Sequence, residues 1–284
     1  MPNSPKKRVL LLGGSGYLGA QINYHLRSDT ACTSFSTCFT NSADPHLLPL
    51  DVTNEAQLTR ILIETSPDVV IWALMSGQNE SSLIQEGLCK LLTHLQPAAR
   101  LIYLSTDGVF SQGTGAFSED DETHPLGDAN PLSGYTNAKL SGESTVQLAC
   151  RNSIILRNGP IYGQNILGKW DNRTTSLLNQ LQAGNIVSRA SNLFRTFVHV
   201  DDLAKAICEL VHTNYSGKLH LGPATKESYY LFNQKIAASL GLGIDNIMAS
   251  AISEEEAKYR CLPLDTSLDT SLAHRLLTTS FRSI

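Results

Sequence analysis

The sequence predicts an α/β fold: a doubly wound parallel sheet with a smaller C-terminal substrate-binding portion. Short continuous apolar runs at residues 9–12, 67–73, 100–104 and 153–157 are what strands buried on both faces look like. Helical patterning separates them at a pace that fits right-handed βαβ units. The first run also feeds Gly13-Gly14-Ser15-Gly16-Tyr17-Leu18-Gly19 directly, the G-x-x-G-x-x-G of a strand-to-helix phosphate turn.

Each element has its reason. Gly13 permits a tight turn, Gly16 lets the backbone approach a pyrophosphate, and Gly19 lets a helix over 17–27 pack closely on the sheet. That helix presents free amides to the phosphates at its N-terminus. A second strand is expected within 32–39 and a third over 47–52, followed by a helix capped by Thr53 or Asn54 and running to about Glu64. The strand over 67–73 precedes a helix to about Leu95, and the strand over 100–104 enters Ser105-Thr106-Asp107. Residues 110–130, rich in Gly, Ser, acids and Pro, read as a long surface loop of the kind that serves as a lid. Beyond a sixth strand over 153–157, residues 194–200 alternate like a strand. Asp201-Asp202 then opens a helix to about Val211, and His199 reads as structural. A strand over 218–221 and helices over 228–240 and 267–277 complete the chain. The dinucleotide-binding domain is drawn as 1–157 and about 196–214, and the smaller portion as 158–195 and 215–284.

Composition narrows the function. With 284 residues, 42% hydrophobic and 17% charged, the chain can bury a large core. The net charge is −4 and the pI about 6.1, with Lys and Arg scattered, so neither nucleic acid nor an anionic membrane is an expected partner. A small-molecule substrate is, and a homodimer is compatible with this reading. Six cysteines form no C-x-x-C pair and have no histidine at zinc-ligand spacing, so reduced thiols, no metal and a cytoplasmic location are expected. Lys6-Lys7-Arg8 ahead of Val9-Leu10-Leu11-Leu12 imitates a signal peptide, but four apolar residues ending at Gly13-Gly14 read as a strand. No run approaches membrane-spanning length.

The chemistry centres on Tyr135 and Lys139. Tyr135, Ala138, Gly142, Val146 and Ala149 recur at three-or-four spacing behind Pro131, so Tyr135 and Lys139 share one face of a helix. An ammonium beside a phenol favours phenolate and lowers the tyrosine pKa from about 10. Such a tyrosine can pass a proton to a carbonyl oxygen. In a doubly wound sheet, ligands sit outside the carboxyl ends of the strands, where residues 13–19, Ala73 and Ser105-Thr106 fall. Thr106 is then a candidate to hydrogen-bond a substrate carbonyl. No acid precedes Asp44 after the second strand to accept the ribose hydroxyls of NAD, and no Arg or Lys lies between Arg27 and Arg60 to hold a 2'-phosphate. Thr40, Asn41 and Ser42 are candidate neutral donors, and the balance leans to NADP(H) over NAD(H).

These motifs, with Leu50-Asp51-Val52, the stretch from Arg157 to Tyr162-Gly163 and Val198-His199-Val200-Asp201-Asp202, resemble the extended short-chain dehydrogenase/reductase superfamily, a Rossmann fold, along nearly the whole chain. Residues 105–110, 139–143 and Leu264-Asp265-Thr266-Ser267-Leu268-Asp269 look most like dTDP-4-dehydrorhamnose reductases and their sugar-nucleotide-binding relatives. The resemblance implies Tyr135 as proton donor, Lys139 binding the nicotinamide ribose and lowering the Tyr135 pKa, and Thr106 orienting the keto group. It implies cofactor contacts at Gly13, Ser15, Gly16, Tyr17, Leu18, Gly19, Asp51, Val52, Ala73, Leu74, Ser105 and Pro160, with Asp51 near the adenine. Substrate contacts are implied at Thr106, Asp107 and Arg195. The chain departs from the pattern at Gly108, where a tyrosine is usual, at Pro160, where a tryptophan is frequent, and at Trp72-Ala73-Leu74, where Asn-Ala-Ala is usual. The implied activity is NAD(P)H-dependent reduction of a keto group on a nucleotide-linked sugar. Two alternatives stay open: a sugar-nucleotide epimerase, and a non-catalytic regulatory subunit like the relative that serves a methionine adenosyltransferase. Dehydratases of the superfamily carry Thr-Asp-Glu, and Gly108 stands in place of that Glu.

Overall fold

A computed structural model of the chain describes residues 6–39 and 44–284. β1 (Lys7–Leu12) leads through α1 (Tyr17–Ser28) to β2 (Cys32–Cys38), β3 (Leu47–Pro49), α2 (Glu55–Thr65) and β4 (Val69–Trp72). A helical run follows: a 3-10 turn at Gly77–Asn79, α3 (Glu80–Ser82), a π turn at Leu83–Leu88 and α4 (Cys89–His94). β5 (Arg100–Leu104), α5 (Ser133–Ala149) and β6 (Ser153–Asn158) come next. Then follow β7 (Ile161–Tyr162), α6 (Asn172–Gln182), β8 (Val187–Ala190), β9 (Phe194–Arg195), β10 (Val198–His199), α7 (Val200–Leu210), β11 (Gly217–Leu221), β12 (Glu227–Ser228), α8 (Tyr229–Ser239), β13 (Ile247–Ser250), α9 (Glu254–Tyr259) and α10 (Ser271–Leu276).

Seven strands form one parallel sheet in the order β11-β6-β5-β4-β1-β2-β3. The order reverses direction between β1 and β4, and this switch point opens the crevice in which such sheets bind ligands. Strand alternation splits the core into two layers. Val9, Leu11, Ile71 and Ile102 pack against α1 and α7 through Ile22, Leu203 and Ile207. Leu10, Val70, Leu101 and Tyr103 pack on the opposite face against Leu58 of α2, Leu91 of α4 and Val146 of α5. A third apolar cluster lies outside the sheet, where Phe197 stacks on Phe232 at 3.8 Å between ring centroids and Leu177, Ile236 and Ile247 close around them. It is framed by three two-stranded pairs, β10 with β7, β12 with β9 and β13 with β8.

Three expectations change. Residues 218–221, read with the smaller portion, lie in β11, the edge strand of the large sheet, where Leu219, His220 and Leu221 are buried beside β6. The strand over 194–200 breaks in two. β9 pairs with β12 and β10 with β7, because Phe197 turns into the third cluster and the buried Thr196 hydroxyl accepts the Leu268 amide at 2.9 Å. The loop over 110–130 is pinned rather than loose: Phe110 and Phe117 stack at 4.3 Å, both pack with Leu268, and the Ala116 amide donates to Ser267 Oγ at 2.8 Å. His199 is structural as expected, its Nδ1 accepting the Asp201 amide at the start of α7. Among the described residues no helix is long and apolar enough to cross a membrane.

Candidate functional site

The turn between β1 and α1 has the shape its glycines dictate. Gly13 has φ +95°, a conformation side chains resist, and a Cβ there would sit 3.0 Å from the Ala73 carbonyl oxygen. A Cβ on Gly19 would fall 1.9 Å from the Gly13 carbonyl, so only glycine allows α1 to approach the turn. Gly16 caps α1 without a side-chain hydrogen bond, and no acid stands in the first turn. The helix therefore offers amides and a positive dipole end to an anion, a cradle that fits a dinucleotide pyrophosphate. Ser15 and Gly16 lie in this turn, and Leu18 belongs to the core beneath it. Tyr17 donates its hydroxyl to the Gly163 carbonyl at 2.6 Å, Asn165 Nδ2 donates to the Tyr17 carbonyl and the Ile166 amide to Gln21 Oε1. Residues 163–166 thus strap the first turn of α1.

α5 brings Tyr135 and Lys139 to one face. Lys139 is buried and bound on two sides: Nζ lies 3.0 Å from Glu80 Oε1 and donates to the Leu74 carbonyl at 3.1 Å. It sits 5.3 Å from the centroid of the Tyr103 ring and 5.9 Å from that of Tyr135. Glu80 is fully buried, and its Oε2 accepts the Ser76 amide at 2.6 Å. Burial lowers the Lys139 pKa and the Glu80 carboxylate opposes it. The lowered tyrosine pKa expected from Lys139 does not result. Burial first, then the charges of Glu80 and Asp107, push the Tyr135 phenol above its ordinary value, and the lysine's charge is matched by the Glu80 carboxylate 3.0 Å from it.

Ser105 and Thr106 leave the end of β5 in different directions. Ser105 Oγ donates to Glu143 Oε1 at 2.5 Å, and Glu143 is held by Arg157 at 2.7 Å, so this hydroxyl belongs to a buried network behind the cleft. The half-buried Thr106 caps a 3-10 turn at Asp107–Val109, its Oγ1 accepting the Gly108 amide at 3.2 Å. A Cβ on Gly108 would meet Thr136 Oγ1 at 3.0 Å, which packs the turn against α5. Asp107 is buried and shared: Thr266 Oγ1 donates to its Oδ2 at 2.5 Å, and Arg195 Nε lies 3.7 Å away. Burial raises the Asp107 pKa, opposed by Arg195, Thr266, Thr106 and Arg173. Arg195 also donates to the carbonyls of Phe194, Pro263 and Leu264, so it and Asp107 partner each other.

The remaining expected residues are placed as follows. Ala73 and Leu74 line the turn opposite Gly13. Asp51 Oδ1 accepts from the amide and hydroxyl of Thr53 at 2.9 and 2.7 Å, and the Val52 side chain is in the core. The Pro160 carbonyl accepts the Val198 amide. Thr40, Asn41 and Ser42 lie outside the described residues.

The sequence reading missed Glu80, Arg173 and Arg189. A cleft of about 310 Å³ is lined by Arg173, Ser176, Arg189, Tyr229, Phe232 and Asn233, two cations beside two aromatic rings. Arg173, at the start of α6, donates to the Ile161 carbonyl at 2.7 Å, and its charge acts to lower the pKa of both Asp107 and Tyr17. Each of these residues reads in sequence as a solvated charge, since nothing local marks the pairing. A separate groove of about 690 Å³ along α2, between Glu55 and Glu64, contains none of them.

The model of the NAD dependent epimerase/dehydratase family matches residues 9–220. Methionine adenosyltransferase 2 subunit beta of Danio rerio is 24% identical over 189 residues, 64% of this chain and 56% of that protein. The chain thus spans less than two thirds of that relative's length. Spore coat polysaccharide biosynthesis protein SpsK of Bacillus subtilis (strain 168) is 24% identical over 261 residues, 87% of this chain and 84% of that one. Among solved structures, dTDP-4-dehydrorhamnose reductase from Bacillus anthracis str. Ames in complex with NADP superposes with a TM-score of 0.78 at 19% identity, over 99% of this chain and 95% of that one. That likeness is one of fold.

Proposed function

We propose, for a chain that belongs to the NAD dependent epimerase/dehydratase family, that it reduces a keto group on a nucleotide-linked sugar with NAD(P)H. The observation that carries this reading is Tyr135, a phenol kept in its protonated form by burial, Glu80 and Asp107 and placed on α5 beside the turn that Thr106 caps. A protonated phenol is ready to donate. An epimerase or dehydratase must first oxidise an alcohol, which requires the phenolate, and Gly108 supplies no carboxylate for loss of water.

The glycine turn and the N-terminus of α1 would hold the pyrophosphate, and Lys139 the nicotinamide ribose. A bound nicotinamide cofactor supplies the hydride. As the carbonyl carbon gains that electron pair, the Tyr135 hydroxyl passes its proton to the oxygen, giving a secondary alcohol. The Thr106 hydroxyl orients the oxygen. Arg173 and Arg189 fit a diphosphate, and Tyr229 a base stacked beside it. SpsK is named for polysaccharide biosynthesis and the Bacillus anthracis neighbour for reduction of a dTDP-linked sugar, and both support this substrate class. NADP(H) is the favoured cofactor within this reading.

The test is the fall in NADPH or NADH absorbance when the protein meets a panel of nucleotide-linked keto sugars. Stoichiometric consumption is expected with at least one. Turnover of a nucleotide sugar without net consumption would instead assign an epimerase. A second reading, a cofactor-binding regulatory subunit, is favoured by the mutual pairing of Asp107 and Arg195, which occupies two expected substrate contacts. It predicts stoichiometric co-purification with a partner enzyme and no oxidation of cofactor on the panel.

A further inference from the structure

Lys139 and Glu80 come from different parts of the chain, yet both are buried and meet at 3.0 Å. An ammonium has three N–H donors. One donates to the Leu74 carbonyl at 3.1 Å, and the ion pair with Glu80 holds the ammonium from a second side, which leaves N–H donors for a ligand. The carboxylate is fixed in turn, since the Ser76 amide donates to its other oxygen at 2.6 Å. A carboxylate with no exposed surface is costly unless its charge is matched, and this one follows by six residues Leu74, which with Ala73 lines the glycine turn. The segment that carries it, residues 73–80, connects the Ala73 carbonyl beside Gly13 to the lysine on α5.

We propose that Glu80 is a positioning residue: it keeps the buried Lys139 ammonium charged, holds it against the Leu74 carbonyl, and so presents a remaining N–H to the ribose of the bound nicotinamide cofactor. This rests on the reductase reading. The other titratable groups around the pair are Tyr103 from β5, Tyr135 and Glu143 from α5, and Asp107 from the 3-10 turn. Glu143 is paired with Arg157 and Asp107 with Arg195, so Lys139 is left as the direct partner of Glu80. Burial works to lower the lysine pKa and Glu80 works against burial. In Glu80→Gln that support is gone, and the lysine gives up its proton at a lower pH than in the wild type.

The experiment is a fluorescence titration of the full chain with NADPH and with NADH between about pH 6 and about pH 9, where a displaced lysine titrates. Glu80→Gln is expected to bind close to the wild type at the acid end and at least about tenfold more weakly at the alkaline end. Glu80→Asp, which keeps the charge, should recover most of the loss, and it carries the test if the Gln variant does not fold. A loss equal at every pH, or wild-type affinity throughout in both variants, overturns the role of Glu80 while leaving the reductase reading intact. A wild type that binds neither reduced cofactor overturns that reading, and the role of Glu80 with it.

Discussion

His25 Nε2 of α1 lies 2.8 Å from Asp201 Oδ1 of α7, and this contact ties the cofactor-side helix to the helix behind it. Gln21 Nε2 reaches the same oxygen at 2.8 Å, while Lys205 and Arg282 hold Oδ2 at 2.8 and 3.1 Å. Burial works to raise the Asp201 pKa, but the hydrogen bonds from Lys205 and His25 and their charges outweigh it and bring it to about 2. A carboxylate with a depressed folded pKa adds stability that is present above its unfolded value, about 3.9, and is lost as pH falls through its folded one. After allowance for solvent screening the contribution is about 1 kcal/mol. Asp201→Asn should therefore cost about that much at pH near 7 and only a small remainder of it near pH 2, where the folded-state carboxylate is half protonated. Urea unfolding at the two pH values checks it, and an equal cost at both would contradict the linkage.

Thr266→Val removes the one hydroxyl that donates to the buried Asp107 carboxylate from the C-terminal segment. A buried acceptor stripped of a partner costs about 1–3 kcal/mol. The loss should appear in the urea midpoint, and substrate KM should rise while NADPH affinity stays near wild type, because the reductase reading counts Asp107 among the substrate contacts. A change in cofactor affinity larger than the change in KM would misplace Asp107.

Tyr135→Phe should abolish reduction while leaving cofactor affinity within a few-fold, since only the proton donor is lost. The sign of the pH dependence follows from the raised phenol pKa. Reduction uses the protonated form, present at all pH values below that pKa, so Tyr135 imposes no alkaline limb near neutrality. Oxidation of the product alcohol uses the phenolate and should accelerate steadily as pH rises. Initial rates in both directions across pH separate these behaviours, and a wild-type reduction rate that falls as pH rises through neutrality, with the oxidation rate rising over the same range, would contradict the assignment.

NADPH should bind about tenfold more tightly than NADH, a difference of about 1.4 kcal/mol. Asp44, the first acid after β2, is paired with Arg27 Nη1 at 3.3 Å, and neutral donors to a phosphate contribute roughly 1.5–3 kcal/mol each. Competitive fluorescence titration measures the ratio, and tenfold tighter NADH would reverse the assignment.

Much of the framework is legible in the residues because buried parallel strands write themselves as unbroken apolar runs, as at Val9 to Leu12, and because Gly13 and Gly19 stand where any Cβ would collide. The shared face of Tyr135 and Lys139 follows from helical spacing alone. What could not be read is pairing across distance. Glu80 looks like a solvated helical acid until β4 and α5 bring it under Lys139, and burial of the Tyr135 phenol, with the charge of Glu80 added to it, reverses the expected direction of its pKa. Phe117 looks like part of a loose loop until Leu268 arrives beside it. Lys218 to Leu221 follow a short, irregular connection, and only the exposed edge of β6 decides where they go.

The Thr266 contact to Asp107 spans 159 positions of sequence, which sets an order of events during synthesis. When β5 and β6 leave the ribosome they can already build the sheet, but Thr266, which donates to the buried Asp107 carboxylate, has yet to be made. Until it is, desolvating that acid is less favourable. The turn after Thr106 thus closes late, and a chain halted shortly before residue 266 would carry a finished glycine turn beside an Asp107 still short of a partner.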